Sequence, residues 1–136
     1  MKIEVSNGEI VDKMTILRIK QSRATNAQTR RGVMAEIAAI ELDYKIVADV
    51  LAEKNSAGLV EQMQLVNESL WIVEDRIREK ESKKEFDAEF IELARSVYKQ
   101  NDRRAEIKKA INTLTASKIV EYKILPEYGN GTQPAF

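Results

Sequence analysis

Residues 70–81 read LWIVEDRIREKE, and after a polar break residues 85–112 read EFDAEFIELARSVYKQNDRRAEIKKAIN. Around the first piece, Leu59, Met63, Val66, Leu70, Val73 and Ile77 step by four and three. That is the face a helix presents to an antiparallel neighbour at a small crossing angle. In the second piece, Phe90, Leu93, Val97, Ile107, Ile111 and Leu114 define an apolar arc. Asn101, Arg104 and Lys108 fall inside that arc by the same angular count, so it is apolar, then polar, then apolar again. An unpaired charge in a core is costly, so these groups must meet partners, water or a ligand. The two pieces predict helices over 59–83 and 87–117 that turn near Lys84, with Asp87 capping or charging the second helix start.

Such a hairpin sets Asn67 level with Asn101, Trp71 with Val97 and Tyr98, and Glu74 with Ala94 and Arg95. Asn67, Trp71, Glu74 and Arg78 form a polar-aromatic stripe beside the apolar seam. The candidate ligand-binding set is therefore Asn67, Trp71, Glu74, Arg78, Tyr98, Asn101, Arg104 and Lys108. Guanidinium and ammonium groups hold phosphate or carboxylate, an aromatic ring stacks on a base or sugar, and amides read polar edges. The competing reading is that these residues fix helix register or pair at an oligomer seam. Glu74, Asp75, Glu79, Glu81 and Asp102 suggest Mg²⁺, as in all-helical nucleotide pyrophosphatases. Their spacing does not give a clean E-x-x-E facing E-x-x-D, and Arg76 and Arg78 among them point to local ion pairs. No catalytic residue, metal ligand or cofactor is assigned.

Upstream, residues 2–5 alternate and suit a very short strand. Ser6-Asn7-Gly8-Glu9 then reads as a helix start in which Ser6 caps and Glu9 reaches back. The first helix spans about 9–24 and is apolar on more than one face; Asp12 and Lys13 read as a carboxylate favoured by the helix N-terminus and a solvated lysine. Asn26 or Thr29 caps a second helix that reaches Lys54, with Val33, Ile37, Ile40, Tyr44, Val47 and Leu51 as its stripe. Residues 55–58, Asn-Ser-Ala-Gly, break it. Downstream, Val120, Tyr122 and Ile124 alternate with charges, which suits a strand over 118–125 pairing with 2–5. Residues 126–136 form a turn-rich tail after a single domain over 1–125.

At 136 residues, with 43% hydrophobic and 32% charged content, the chain has the makings of one soluble globular domain. Five glycines, two prolines and few aromatics favour helices over a sandwich or barrel. The expected fold is mainly α: an antiparallel four-helix bundle, with a short two-stranded element joining the termini. Twenty-two basic and twenty-two acidic residues leave no bulk charge to draw the chain onto nucleic acid or a membrane surface. With no cysteine and no histidine, disulfides, thiolate catalysis, Ser-His-Asp chemistry and His- or Cys-ligated metal sites are excluded. No apolar run suits a signal peptide or a membrane span, so the cytoplasm is the expected location.

The segments VDKMTILRIK (11–20), LWIVEDRIREKE (70–81), FDAEFIELARSVYKQNDRRAEIKKAIN (86–112) and SKIVEYK (117–123) resemble a family of small helical proteins of unknown function. Its members occur in tailed phages, notably of cyanobacteria, and in bacteria near surface-polysaccharide glycosyltransferases. The resemblance covers most of the chain, and residues 26–58 match only in helical character. It implies that Asp12, Lys13, Trp71, Glu74, Asp75, Arg78, Glu81, Phe86, Asp87, Arg95, Tyr98, Asn101, Asp102, Arg103, Lys108 and Asn112 belong to the family pattern. The chain departs from it at Asn7-Gly8-Glu9-Ile10-Val11, where a Val-Gly-Glu-Leu-Leu-like run is the family form. The expected function is a homo-oligomeric protein that binds an anionic small molecule, a nucleotide or sugar-phosphate, and in a phage sequesters a host immune signalling nucleotide in the host cytoplasm. The alternatives are a non-catalytic accessory protein of a glycosyltransferase or other partner, and a Mg²⁺-dependent nucleotide hydrolase.

Overall fold

Three of the four helices begin on a side chain that accepts from a backbone N–H three residues on, which satisfies one of the donors every helix start leaves open. In the computed structural model, which describes residues 1–126 and Tyr128, Ser6 does this for α1 (Asn7–Arg23), Asn26 for α2 (Ala27–Glu53) and Asp87 for α4 (Ala88–Leu114). Helix α3 (Gly58–Ser82) starts without a side-chain cap. The links are short. Asn55 and Lys84 turn the chain in the left-handed region, at φ 54° each, after α2 and α3. Asparagine visits that region readily, which explains why the break after α2 falls on Asn55, while Gly58 is already helical.

Helix α1 lies at the centre and packs against the other three; α3 and α4 pack on each other, and α2 rests on α1. Cross-helix pairs fix the directions. Arg76 bonds Glu89 and Arg103 bonds Gln62, so α3 and α4 run antiparallel as a hairpin. Glu9 pairs with Lys108 and Asp12 with Arg104, so α1 runs antiparallel to α4. Val11, Val47, Leu51, Met63, Ile107 and Ile111 form one buried cluster that draws on all four helices. The inward stripes read from the sequence for α2, α3 and α4 are the buried or half-buried ones. The fold is mainly α, a bundle of four helices.

Two local expectations change. Residues 2–5 and 118–125 form no strand; both run without regular structure, and Ile3, Tyr122 and Ile124 are exposed. Their alternation has no sheet face to bury. The two segments are instead joined through side chains. The Ser6 hydroxyl bonds the Glu121 carboxylate, Asn7 N–H donates to Ser117 Oγ at 3.0 Å, and Lys118 pairs with Glu4. Burial pushes the Glu121 carboxyl up, but the Ser6 hydroxyl, its own backbone N–H, Lys108 and Asn112 outweigh that and hold it below the usual range. Second, Glu9 does not reach back to its helix start; its carboxylate pairs with Lys108 of α4. The tail expected over 126–136 lies outside the described residues except for Pro126 and Tyr128.

Gly8 explains how close α1 and α4 can come. A Cβ built on Gly8 would stand 2.7 Å from the carbonyl oxygen of Lys108 and 3.0 Å from its Cα. The glycine's own N–H donates to Asn112 Oδ1 at 2.7 Å. Only a residue without a side chain permits that backbone-to-backbone contact.

Candidate functional site

A charge within an otherwise apolar helix face decides the geometry of the site. Asp12 sits on α1 between Val11 and Met14 and is 1% exposed. Arg104 of α4 grips it with both arms, Nε to Oδ1 at 2.8 Å and Nη2 to Oδ2 at 2.6 Å. From α3, Asn67 Nδ2 donates to the same Oδ1 at 2.8 Å and to Thr15 Oγ at 2.8 Å. The Thr15 hydroxyl proton is already committed to the Asp12 carbonyl oxygen at 2.8 Å, so Thr15 must accept from Asn67. That fixes the amide: Asn67 Nδ2 points inward, and its Oδ1 accepts no hydrogen bond from any described residue. The hydrogen bonds it donates to Asp12 hold the Arg104 guanidinium above its ordinary pKa, against the effect of burial. Asp12 is thus neither a helix-terminus charge nor a solvated one, as its position in sequence suggests; it ties three helices together. Lys13 beside it is solvent-exposed and pairs with Glu36 of α2.

Above this buried network opens a cavity of about 470 Å³, within the size range of small-molecule sites. Ile16 and Leu70 line it with Asn67, Asn101 and Arg104, and Trp71, Glu74, Asp75 and Arg78 of α3 complete the wall. Asn101 accepts from Arg104 Nη1 at 3.3 Å. Asp75 pairs loosely with Arg23 at 3.6 Å, and the Arg23 guanidinium lies 5.4 Å from the centre of the Trp71 ring. Glu74 and Arg78 are exposed, and neither has a hydrogen-bond or ion-pair partner among the described residues.

Trp71 also walls a second hollow of about 440 Å³ with Lys20, Arg23, Ala24, Thr29, Gly32, Val33 and Glu36. Lys20 has no partner among the described residues. The indole therefore stands between two concave surfaces. Cations Lys20 and Arg23 lie on one side, and Arg78 lies on the other.

Of the eight candidate residues, the structure brings six to the first cavity: Asn67, Trp71, Glu74, Arg78, Asn101 and Arg104. Tyr98 faces another way. Its ring meets that of Tyr128 edge-on, centroids 5.2 Å apart, in a hollow shared with Asp102 and Lys123. Lys108 projects toward Glu9 and Glu121 rather than the cavity, one turn beyond Arg104 toward the end of α4. Sequence reasoning missed Asp12 and Thr15 as the inner layer beneath the cavity, and Lys20 and Arg23 beyond Trp71. A fully polar pair, Asp12 and Thr15, three residues apart on the inward side of an apolar helix was the available signal.

The five acids considered for Mg²⁺ do not converge. Glu79 pairs with Arg76 and Lys83, Asp75 with Arg23, and Glu81 with Lys84, while Asp102 faces Lys123 and Tyr128. Among the described residues no group of three or more acidic side chains is placed to hold a metal ion. Nor is any described helix long and apolar enough to cross a membrane.

The model of a family of unknown function, DUF6165, matches residues 1–132. No curated protein and no solved structure matches the chain.

Proposed function

We propose a function from the premise that this chain belongs to the DUF6165 family: it binds an anionic small molecule of the nucleotide or sugar-phosphate class and does not transform it. The observation that carries this reading is the position of Trp71 between two hollows, flanked by the unpaired cations Lys20 and Arg78. A flat ring or sugar face stacks on the indole, and a phosphate finds a guanidinium or ammonium group within reach. The Asn67 Oδ1, held in place by Asp12 and Thr15, accepts a hydroxyl or amino group, as does the unpaired Glu74 carboxylate. Glu74 and Asp75 on the rim disfavour a polyanion such as nucleic acid and favour a compact ligand that carries both hydroxyls and negative charge.

Arg104 enters this reading as a positioning residue. Its charge is matched by Asp12, so its role is to shape the floor and orient Asn101. The setting in which the family resemblance places such proteins suggests the use. In a tailed phage the protein would hold a host signalling nucleotide out of circulation in the host cytoplasm; beside a surface-polysaccharide glycosyltransferase it would hold a sugar-phosphate.

The test is native mass spectrometry of the purified protein, followed by identification of small molecules released by heat and titration with nucleotides and sugar phosphates. Trp71→Ala and Arg78→Ala are the informative variants, because neither side chain is needed by the buried network. A ligand recovered unchanged, and bound about tenfold or more weakly by both variants, is the expected result. No retained or titratable ligand would refute the proposal and favour an accessory role. Metal-dependent conversion of the ligand would refute it in favour of a hydrolase.

A further inference from the structure

Helix α2 is apolar on two opposite sides, and only one of them is covered. Val33, Ile40, Val47 and Leu51 face α1 and the core. On the far side Ala35, Ala38, Leu42 and Ile46 line up at three- and four-residue steps. All four are exposed, Leu42 by 72% and Ile46 by 57%. Past Ile46 the same face carries Asp49, whose charge is matched by Lys45 of the same helix. The unmatched charges on this face are Arg31 at one end and Glu53 at the other, each eleven residues from Leu42. Neither has a hydrogen-bond or ion-pair partner among the described residues.

We infer that this face of α2 docks on the same face of a second copy of the chain, antiparallel, about a two-fold axis at Leu42. The charge pattern selects both occupant and direction. An antiparallel pair sets each Arg31 level with Glu53 of the other copy, twice by symmetry, and each Ala38 level with Ile46, a small residue against a large one. A parallel pair would set Arg31 against Arg31 and Glu53 against Glu53. The helix dipoles favour the antiparallel arrangement as well. Thr29, Gly32 and Glu36, which line the hollow beside Trp71, lie off this stripe, so pairing leaves the proposed binding site open. The two proposals therefore stand or fall separately.

The test is sedimentation velocity with the full chain. The wild type sediments as a dimer, and Leu42→Asp, which sets two carboxylates on the axis, sediments as a monomer that keeps the helical circular dichroism of the wild type and loses the dependence of its melting temperature on protein concentration. Arg31→Glu and Glu53→Arg each weaken the dimer about tenfold or more, and the double swap restores it. The chain has no cysteine, so single cysteines report direction. Leu42→Cys forms a disulfide with itself, whereas Ala38→Cys does so efficiently only when mixed with Ile46→Cys. A monomeric wild type, a dimer that survives Leu42→Asp, a swap that fails to restore, or efficient Ala38→Cys self-linkage would overturn the inference.

Discussion

Replacing Arg104 with methionine should destabilise the fold more than replacing its partner Asp12 with leucine. Asp12 is 1% exposed and receives three hydrogen bonds, two of them from Arg104. Arg104→Met leaves the carboxylate buried with Asn67 as its one side-chain donor among the described residues. Removing one partner of a buried ion pair costs about 3–5 kcal/mol. The Arg104 side chain is 29% exposed and borders an open cavity, so water replaces part of it and the cost falls to the lower end, about 3 kcal/mol. Asp12→Leu leaves a guanidinium that can turn toward solvent, and costs about 1–2 kcal/mol for the lost bonds. The double variant exchanges the pair for apolar groups and costs less than the two singles added, with a coupling of about 2 kcal/mol or more. Urea unfolding followed by circular dichroism and by the fluorescence of the single tryptophan, Trp71, measures all three. An Arg104→Met cost below about 1 kcal/mol, or costs that simply add, would refute the claim that this pair is a buried tie between helices.

Gly8→Ala forces a methyl group against the α4 backbone at Lys108 and should cost about 1–3 kcal/mol in the same unfolding assay; a neutral change would mean that α1 and α4 separate freely there. Lys80, 4% exposed, pairs with Asp87, Glu85 and Glu89 at the α3–α4 turn. Its hydrogen bond to Asp87, with the Phe90 N–H, holds that carboxyl below its ordinary 3.8, and Arg76 and then Lys80 hold Glu89 below 4.5. Lowered values in the folded state mean a stabilisation that is complete above those ordinary values and lost as pH falls through the depressed ones. Melting temperature should therefore drop below about pH 4.5 in the wild type and drop less steeply in Lys80→Met, which is less stable at neutral pH; parallel profiles would contradict this. Trp71→Ala should change stability little, because the ring is half-buried at a cavity mouth, while abolishing retention of the bound small molecule in native mass spectrometry.

The bundle was legible because its helices obey simple spacing. The seam of α3 and the interrupted arc of α4 place themselves, and Ser6, Asn26 and Asp87 mark their helix starts by side-chain type. Angular counting on two helices also brings Asn67, Trp71, Asn101 and Arg104 to one side, where the cavity is. What counting on one hairpin cannot supply is the third helix. Asp12 lies 92 residues from Arg104, and near a helix start a carboxylate has a ready local explanation, so its distant partner leaves no mark in the spacing. Tyr98 and Lys108 are placed by rotation about α4 as it meets α1, which the α3–α4 register does not fix. The alternation in residues 2–5 and 118–125 arises from polar side chains that stitch the termini, and period two alone does not tell that from a strand.

The tie between Asp12 and Arg104 also sets an order of events during synthesis. At about 5–20 residues per second, roughly 5–18 s separate the appearance of the two residues from the ribosome. Through that interval α1 and α2 exist without α4, and the ionised Asp12 keeps the inward face of α1 hydrated instead of leaving it a continuous apolar strip. The same carboxylate that joins three helices in the finished protein should therefore lower the tendency of the unfinished one to associate. Ribosome-bound chains stopped before residue 104 should accordingly aggregate more readily with Asp12→Leu than with the native residue, although in the completed fold Asp12→Leu joined to Arg104→Met costs less than the two single changes added.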